Sequence, residues 1–363
     1  MKVIIAGGGT GGHLFPGIAI AEEISRRNQD NEILFIGTDR GLEKRILHGM
    51  GYRLQTIDVA GIRGMGVMKT MGNIMKIPMS IVQSRNIIGS FNPHAVIGVG
   101  GYASGPAVIA AHYMGIATAI AEQNAVPGMT NRILGRFVDR IYVTFPETAR
   151  WFNTNKVLVT GNPVRKSFVE RKSGRRVARS EHLTILIFGG SQGAHAINDA
   201  VVAAMPLLKK IQGPLRFIHQ TGSADAETVA DAYRAHGIDA RVSPFINDMA
   251  TAYDEADLLV CRAGATTVAE VMVSGKPAIF IPFAHAVGDH QRLNAQVLVD
   301  AGAAKLILEK DLTGEALADM LQWLLKDREI LAAMGERARA SGTADAATRI
   351  VDDCWHTIGR TEW

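Results

Sequence analysis

A glycine-rich segment occurs twice in the chain, 182 positions apart, and this repetition constrains the fold more than any other feature. Residues 4–13 read IIAGGGTGGH, and residues 186–195 read LIFGGSQGAH. Each copy is an apolar run typical of a buried strand, followed by a glycine-rich turn and then by helical periodicity. Because the offset is about half of the 363 residues, the repeat predicts two similar α/β domains, each beginning with a strand, a loop and a helix.

Apolar strand candidates alternate with helical stretches in both halves of the chain. This alternation predicts parallel sheets with helices on both faces. We expect an α/β protein of two Rossmann-like domains that face each other across a cleft, because such sheets bind ligands at the carboxyl ends of their strands. Besides the first strand of the chain, the candidates are 33–36, 95–99, 118–121, 141–143, 157–159, 184–188, 216–220, 258–261 and 278–281.

Composition places the domain boundary in a turn-rich and then strongly charged segment that precedes the second repeat. We expect an N-terminal domain over 1–163, a linker over 164–182 and a C-terminal domain over 183–340. The last segment, 341–363, is expected to be a helix that could pack back on the N-terminal domain. The chain has only two cysteines, and without metal-ligand spacing they favour a reducing cytoplasm.

The first glycine loop, Gly7–His13, has two interpretations. Its spacing matches the dinucleotide fingerprint, and Asp39 follows a strand candidate where an NAD-binding enzyme requires an acid. The second copy breaks that spacing, so we favour a loop whose amides, with the start of the next helix, approach an anion of another ligand. His13 begins that helix, where a neutral imidazole either takes a proton from an attacking hydroxyl or only bonds the backbone.

Two segments of the second half follow strand candidates and are suited to a nucleotide. Ser191 places a hydroxyl in the second glycine loop, although a simple turn is the alternative. Residues 261–270, CRAGATTVAE, combine a glycine turn with the free amides of a helix start. Glu270 in that helix would suit a ribose diol, whereas an isolated helix glutamate is usually exposed.

Amide side chains follow two further strand candidates. Asp289 fits the N-cap of a helix on which Gln291 and Asn294 share a face, and such amides suit sugar hydroxyls. A solvated helix start is the alternative. In the first half, residues 121–128, AEQNAVPG, place Asn124 directly after a strand.

No spacing typical of a metal site occurs, and we expect neither a metal nor another cofactor. A departing diphosphate would then be stabilised by helix ends and by Arg262 or Arg165. Nothing in the sequence indicates a nucleic-acid partner.

Residues 59–121 contain no aspartate or glutamate, and their four Lys and Arg residues equal the net charge of +4 of the whole chain. Within this stretch, the basic, methionine-rich segment 61–91 favours contact with an anionic membrane surface over a core helix whose lysines reach solvent. The uncharged residues 103–121 are long enough to be tested as a membrane span. Their proline and glycines instead predict a buried helix over 106–113, a turn at Gly115 and a strand through Ile120.

Taken together, seven motifs resemble one bacterial family from about residue 3 to 300. This is the UDP-N-acetylglucosamine–N-acetylmuramyl-(pentapeptide) pyrophosphoryl-undecaprenol N-acetylglucosamine transferase family, which makes lipid II from lipid I. Each motif is weak alone, but the ordered set is specific. The motifs are GGGTGGHLFPGIAIA, GVGGYASGP, AEQNAVPG, GNPVR, GGSQGA, CRAGATTVAE and DHQRLNA.

The resemblance implies a glycosyltransferase B fold and inverting, metal-independent transfer of GlcNAc. It implies an N-terminal domain for the lipid-linked acceptor, lipid I, and a C-terminal domain for most of UDP-GlcNAc. It also implies a peripheral location on the cytoplasmic face of the cell membrane, with other cell-wall enzymes as further partners. Segment 61–91 would contact the anionic membrane surface, but residues 59–90 lack the aromatic residues that usually anchor such segments.

The resemblance also implies roles for individual residues. His13 becomes a candidate base for the acceptor, Ile246 would meet uracil through its backbone, Glu270 would bind the ribose diol, and Gln291 would read GlcNAc hydroxyls. Thr10, Gly11, Gly12 and Asn124 would lie by the sugar and diphosphate, and Arg165 and Ser191 by the diphosphate. The complete set implied for UDP-GlcNAc is Thr10, Gly11, Gly12, Asn124, Arg165, Ser191, Ile246, Ala265, Thr266, Thr267, Val268, Ala269, Glu270 and Gln291.

Two other classes of function remain as alternatives. One is another enzyme of the same fold, such as a diacylglycerol glucosyltransferase or a sugar-nucleotide epimerase, although the basic segment 61–91 disfavours a soluble epimerase. The other is a non-catalytic sensor of nucleotide sugars at the membrane. Turnover of UDP-GlcNAc with a lipid I analogue distinguishes all of these.

Overall fold

The computed structural model describes residues 1–39, 42–59, 67–170, 182–190, 192–208 and 213–359. The chain divides into two compact units. The N-terminal unit comprises Met1–Lys166 together with Thr343–Trp363, and the C-terminal unit comprises Ser167–Gly342. Of the expected linker, residues 171–181 lie outside the described part of the chain.

The N-terminal unit is built on a parallel sheet of seven strands in the order β3-β2-β1-β4-β5-β6-β7. The strands are β1 Lys2–Gly7, β2 Glu32–Gly37, β3 Arg53–Thr56, β4 Ala95–Gly100, β5 Ala117–Glu122, β6 Arg140–Val143 and β7 Val157–Val159. The helices are α1 Gly11–Arg27, α2 Leu42–Gly49, α3 Val67–Phe91, α4 Ser104–Tyr113 and α5 Met129–Leu134, with 3-10 turns at Pro146–Trp151 and Thr154–Lys156. Helix α6, Lys166–Val169, begins at the boundary and continues into the C-terminal unit.

Both faces of this sheet are buried, which is why its central strands are continuous apolar runs. Val3 and Ile5 of β1 point into a core with α1, whereas Ile4 and Ala6 point into a second core with α3 and α4. The two cores follow from the period of two in a strand. The glycine loop after β1 therefore stands on a rigid central strand.

The C-terminal helix of the chain, α14 Ala346–Gly359, packs against α1 in the N-terminal unit. Its buried Ile350 and Val351 join the core on that face of the sheet. Asp353 accepts hydrogen bonds from Arg140 Nε at 2.9 Å and from the Tyr142 hydroxyl at 3.1 Å. The chain thus returns to its first unit after completing the second.

The C-terminal unit is built on a parallel sheet of six strands in the order β10-β9-β8-β11-β12-β13. Its strands are β8 Leu183–Phe188, β9 Leu215–Gln220, β10 Asp239–Ser243, β11 Leu258–Cys261, β12 Ala278–Phe280 and β13 Ala304–Leu306. Its helices are α7 His195–Leu208, α8 Ala226–His236, α9 Met249–Glu255, α10 Ala265–Ser274, α11 His290–Asp300, α12 Gly314–Leu325 and α13 Arg328–Ala340, with 3-10 turns at Val287–Asp289 and Glu309–Asp311.

The two sheets share one topology, and this confirms the expected α/β class with two Rossmann-like domains. In each sheet the first strand, β1 or β8, lies where the strand order reverses, beside β4 or β11. Loops at the carboxyl ends of strands at this switch point form the ligand site in open α/β sheets. Both glycine-rich repeats follow these strands.

Every strand predicted from the apolar runs is present, but three strands were missed. These are β3, β10 and β13, and each lies at an edge of its sheet. Edge strands are covered less completely, so polar and charged residues are tolerated, as in RLQT of β3 and DARVS of β10. An apolar run therefore detects the central strands and, of the edge strands, only β7, whose sequence is VLV.

The uncharged stretch 103–121 forms a helix, a turn and a strand, as predicted. Helix α4 ends at Tyr113, Gly115 takes a φ of 73°, and β5 follows. Among the described residues, no helix has the length and apolar character needed to cross a membrane.

Candidate functional site

The glycine loop after β1 packs backbone against backbone on the loop after β4. A side chain at Gly7 would collide with the carbonyl of Gly100, and one at Gly101 would collide with the carbonyl of Gly8. The Gly8 N–H donates to the Gly100 carbonyl at 3.3 Å. Several glycines of this motif are therefore required by the close approach of two loops, and not by a ligand alone.

Thr10 and His13 stand together at the start of α1. Thr10 is the N-cap residue of α1, and its hydroxyl oxygen lies 3.4 Å from His13 Nδ1. The His13 ring lies over Gly100, where any added side chain would be 2.7 Å from Cδ2. Gly11 and Gly12 form the first turn of α1, and the N–H groups of a first helical turn have no carbonyl partner within their own helix.

A carboxylate that was not predicted, Glu43 of α2, contacts this loop. It accepts a hydrogen bond from the Gly9 N–H through Oε1, and from the Thr38 N–H and hydroxyl through Oε2, each of the latter at 3.3 Å. Burial raises the pKa of Glu43 above its ordinary value, and these hydrogen bonds oppose the rise. Nothing in the sequence indicates the contact, because Gly9 and Glu43 are 34 positions apart.

Asn124 is held in place after β5 by the buried carboxylate of Glu122. One Glu122 oxygen accepts from the Asn124 backbone and side-chain N–H groups, both at 3.0 Å, and the other accepts from Gly128 and Asn131. Burial raises the pKa of Glu122, and the four donors counteract this. Gln123 instead bonds the carbonyls of its own sheet, so only Asn124 of this motif remains a ligand candidate.

Arg165 lies in the same unit, and its guanidinium stacks over the ring of Phe15 at 4.5 Å. Phe15 belongs to the second turn of α1, so the stacking keeps Arg165 near the glycine loop. The other cation considered for a diphosphate, Arg262, is bonded internally. It pairs with Glu309 and donates to the carbonyls of Ile281 and Pro282. These contacts give Arg262 a structural role and favour Arg165 as the cation for a diphosphate.

In the C-terminal unit, the second glycine loop packs on its neighbour as the first one does. A side chain at Gly193 would collide with the carbonyl of Thr221, and one at Gly222 with the carbonyl of Gln192. Ser191, expected at the diphosphate, lies outside the described residues. His195 follows the loop, and its Nδ1 lies 3.0 Å from Asp225, which raises the pKa of His195.

Helix α10 begins as predicted, directly after the glycine turn at Gly264. Ala265, Thr266 and Thr267 form its first turn. The side chains of Val268 and Ala269 are buried in the core, so a ligand can meet these two residues only through their backbone.

Glu270 is buried, with only 5% of its surface exposed, so the alternative of an exposed helix glutamate is wrong. The pKa of the Cys261 thiol, at the end of β11, is raised mainly by burial and further by the charge of Glu270.

The segment around Gln291 is only partly as predicted. Asp289 is the N-cap residue of α11, but it takes a left-handed conformation and pairs with Arg292 instead of capping the helix. Gln291 accepts a hydrogen bond from the Phe283 N–H at 3.0 Å. Asn294 is buried and donates to the Ala263 carbonyl at 3.5 Å, so it supports the α10 turn from behind.

Ile246 is half-buried in the loop that follows β10, and its neighbour Phe245 is 48% exposed. Phe245 was missed because β10 itself was not predicted, so the loop was not recognised as a strand end. An exposed ring beside a backbone candidate for uracil is a further surface for a base.

Two family models match the two units in order. The N-terminal domain of glycosyltransferase family 28 matches residues 3–143, and its C-terminal domain matches residues 184–350. The chain belongs to glycosyltransferase family 28. Within this family it is 55% identical, over 99% of both chains, to the UDP-N-acetylglucosamine–N-acetylmuramyl-(pentapeptide) pyrophosphoryl-undecaprenol N-acetylglucosamine transferase of Syntrophus aciditrophicus.

Solved structures agree with the family 28 assignment. The crystal structure of MurG from Acinetobacter baumannii is 35% identical, with a TM-score of 0.80 and coverage of 98% of this chain and 99% of that one. The UDP-GlcNAc 2-epimerase of Neisseria meningitidis, solved with UDP-GlcNAc, is only 14% identical, with a TM-score of 0.67 and coverage of 98% and 100%. That likeness shows a shared fold alone.

The family 28 candidates thus fall into one group in each unit. In the N-terminal unit, Thr10, Gly11, Gly12 and His13 lie at the start of α1, Asn124 follows β5, and Arg165 precedes α6. In the C-terminal unit, Ile246 follows β10, Ala265–Glu270 lie in α10, and Gln291 lies in α11. In the part of the chain that the structure describes, no group of three or more His, Cys, Asp or Glu side chains could hold a metal ion.

Proposed function

We propose that this chain transfers N-acetylglucosamine from UDP-GlcNAc to undecaprenyl-pyrophosphoryl-MurNAc-pentapeptide, lipid I, and so forms lipid II in peptidoglycan biosynthesis. The observation that carries this proposal is the 55% identity, over 99% of both chains, to a relative that bears the name of this transferase. The family 28 domains on both units support the same reaction. The chain is therefore a hexosyltransferase and not a sensor.

The C-terminal unit binds most of the donor in this proposal. The N–H groups at the start of α10 and the Ser191 loop meet the diphosphate, because helix starts favour anions. Glu270 accepts hydrogen bonds from the ribose diol, and a buried charged acceptor makes such bonds strong. Ile246 meets uracil through its backbone, and Gln291 binds GlcNAc hydroxyls.

The N-terminal unit presents the acceptor and completes the sugar site. The acceptor hydroxyl attacks the anomeric carbon of GlcNAc, the bond from that carbon to the UDP oxygen breaks, and the configuration inverts to a β-1,4 link. His13 accepts the proton of the attacking hydroxyl, and Thr10 orients its ring from 3.4 Å. Asn124, fixed by Glu122, binds the sugar, and Arg165 with the helix start of α1 stabilises the diphosphate charge.

The reaction itself can be tested with UDP-GlcNAc and a short-chain lipid I analogue. We expect a β-linked disaccharide lipid and one UDP for each sugar transferred. Epimerised UDP-GlcNAc without disaccharide would instead support an epimerase, and binding without turnover would support a sensor. Either result contradicts the proposal. A diacylglycerol acceptor serves as the control for the remaining alternative, and it should not be glycosylated.

We further propose that the chain is peripheral and lies on the cytoplasmic face of the cell membrane. Helices α3, α4 and α5 cover one face of the N-terminal sheet. This helical face exposes large apolar side chains among basic ones, which is typical of an interfacial surface. The exposed apolar residues are Met79, Val82, Tyr113, Met129, Ile133 and Trp151, and the cations near them are Lys76, Arg85, Arg132, Arg136, Arg150 and Lys156.

Two aromatic residues on this face supply the interfacial side chains that residues 59–90 lack. Tyr113 at the end of α4 is 76% exposed, and Trp151 is 37% exposed. The Arg132 guanidinium lies 4.4 Å from the Trp151 ring, beside a groove of about 570 Å³ lined by Met129 and Ile133. An aromatic ring at headgroup depth beside a cation favours an anionic bilayer.

Vesicle binding tests the membrane proposal without relying on segment 61–66, which lies outside the described residues, or on the side chain of Lys69. The double change Arg132→Glu and Trp151→Ala should weaken sedimentation with phosphatidylglycerol vesicles at least tenfold, since each basic residue contributes about 1 kcal/mol near such a surface. Transfer to a water-soluble acceptor should be retained. The matched control is the same pair of changes at the half-buried Lys305 and the exposed Trp323, whose ammonium and ring lie 4.6 Å apart in the C-terminal unit. Equal vesicle binding by both double variants would contradict the proposal.

A further inference from the structure

The glycine loop after β1 is bonded by a carboxylate from outside the loop. Glu43, the second residue of α2, has only 1% of its surface exposed. Its Oε1 accepts from the Gly9 N–H, and its Oε2 accepts from the N–H and hydroxyl of Thr38, directly after β2. Glu43 therefore connects the loop of one central strand to the end of the next strand in the sheet.

Burying a carboxylate costs desolvation free energy, so the position of Glu43 indicates a specific role. Desolvation raises the pKa of Glu43, and the hydrogen bonds from Gly9 and Thr38 oppose this rise. The loop is also shaped around it, because a side chain at Gly8 would collide with the Glu43 carboxylate. Gly8 and Gly9 take φ values of 138° and 88°, a region that other residues rarely adopt. The hydrogen bond to Gly9 holds the loop in this conformation.

The residues that follow Gly9 are the candidates for the chemistry on this unit. Thr10 is the next residue and caps α1, and its hydroxyl lies 3.4 Å from His13 Nδ1. The His13 ring lies against Gly100 of the neighbouring loop. A shift of the Gly9 amide therefore moves both Thr10 and His13 relative to the strand ends.

We propose that Glu43 is a positioning residue for glycosyl transfer: its buried carboxylate holds the Gly9 amide and thereby sets where Thr10 and His13 stand. This inference rests on the proposed function. Glu43 does not touch the reacting atoms, and it acts through the loop. A positioning role predicts a lower kcat with little change in donor affinity, because the proposed function assigns most of the donor contacts to the other unit.

The test compares Glu43→Ala, Glu43→Gln and the control Glu23→Ala. Glu23 is a buried carboxylate of the same unit, but it pairs with Arg26 and Arg27 and not with the loop. A misplacement of about 1 Å costs on the order of a hundredfold in rate. We expect kcat of Glu43→Ala to fall by this order while the KM for UDP-GlcNAc changes less than twofold. The control should retain its kcat within about twofold.

Two forms of rescue separate positioning from loss of folding. Glu43→Gln keeps an oxygen that accepts from Gly9, although its amide nitrogen conflicts with the Thr38 N–H, so its kcat should lie between those of the wild type and Glu43→Ala. Added acetate should partly restore Glu43→Ala, because a small carboxylate fits the space left by the side chain. An unchanged kcat in Glu43→Ala, or a loss that neither glutamine nor acetate repairs, would overturn the inference.

Hydrogen exchange provides a measurement that is independent of turnover. Exchange over residues 7–14 should accelerate in Glu43→Ala and stay unchanged in Glu23→Ala. Unchanged exchange in Glu43→Ala overturns the inference even if the kcat of this variant falls. A wild-type chain that forms no disaccharide refutes the proposed function instead, and the exchange result then still decides whether Glu43 holds the loop.

Discussion

Acidification from pH 8 to pH 5 should destabilise the C-terminal unit through a single buried histidine, His219 of β9. Its ring is completely buried, with Nε2 at 3.0 Å from Asn198 Oδ1 and Nδ1 at 3.2 Å from the Tyr233 hydroxyl. The Asn198 amide nitrogen donates to Thr221 and Asp225, so its oxygen is an acceptor. His219 therefore carries its proton on Nε2, and the Tyr233 hydroxyl donates to Nδ1.

Burial lowers the pKa of His219 from its ordinary value of 6.5 to about 3, although the charge of Asp225 acts in the opposite direction. Between these two pKa values His219 binds a proton in the unfolded chain but stays neutral in the folded chain. Stability is complete above pH 6.5 and is lost progressively as the pH falls from 6.5 toward 3. At pH 5 the solution is about 1.5 pH units below the pKa of histidine in the unfolded chain, which corresponds to a loss of about 2 kcal/mol in unfolding free energy.

The assay is urea unfolding at pH 8 and pH 5, followed by hydrogen exchange in peptides of the C-terminal unit. His219→Gln keeps a donor for Asn198 but does not titrate, so its loss of unfolding free energy on acidification should be about 2 kcal/mol smaller than that of the wild type. The exposed His285, changed to Gln in the same unit, is the control and should behave as the wild type. Equal acid losses in the wild type and His219→Gln would refute the reasoning.

Two further predictions concern the donor site and the C-terminal helix. Glu270→Gln should raise the KM for UDP-GlcNAc about tenfold, because a charged acceptor of the ribose hydroxyls becomes neutral; an unchanged KM would remove the ribose role. Ile350→Ala should lower the unfolding free energy of the N-terminal unit by about 3 kcal/mol, since Ile350 is fully buried beside α1. Chemical denaturation measures this loss, and a value below about 1 kcal/mol would show that α14 is not part of that core.

The central strands and the glycine loops were predictable because their structure depends on residues that are adjacent in the sequence. A strand buried on both faces must be apolar throughout, as in β1 and β8, and a loop between a strand and a helix needs glycine where backbones approach. The edge strands β3 and β10 were not predictable in this way, since they are partly exposed and their residues carry no such pattern.

The candidate site was only partly predictable. The motifs pointed to Thr10 and Asn124, which lie just after strands, and to Glu270, which lies in the helix that follows the glycine turn at Gly264. The sequence did not reveal that Arg262 is bonded internally by Glu309, or that Glu270 is buried rather than exposed on its helix. Both facts depend on residues that are distant in the chain and adjacent only after the sheet has formed.

By itself, the sequence determined the two Rossmann-like domains, their order and the loops that carry the candidate site. The physical reason is local: apolar runs, glycine turns and helix starts each follow from neighbouring residues. Only the tertiary structure decided which polar groups meet. Glu43 reaches Gly9 across 34 positions, and Asp353 reaches Arg140 across 213, because buried charges need partners that packing alone brings within hydrogen-bond distance.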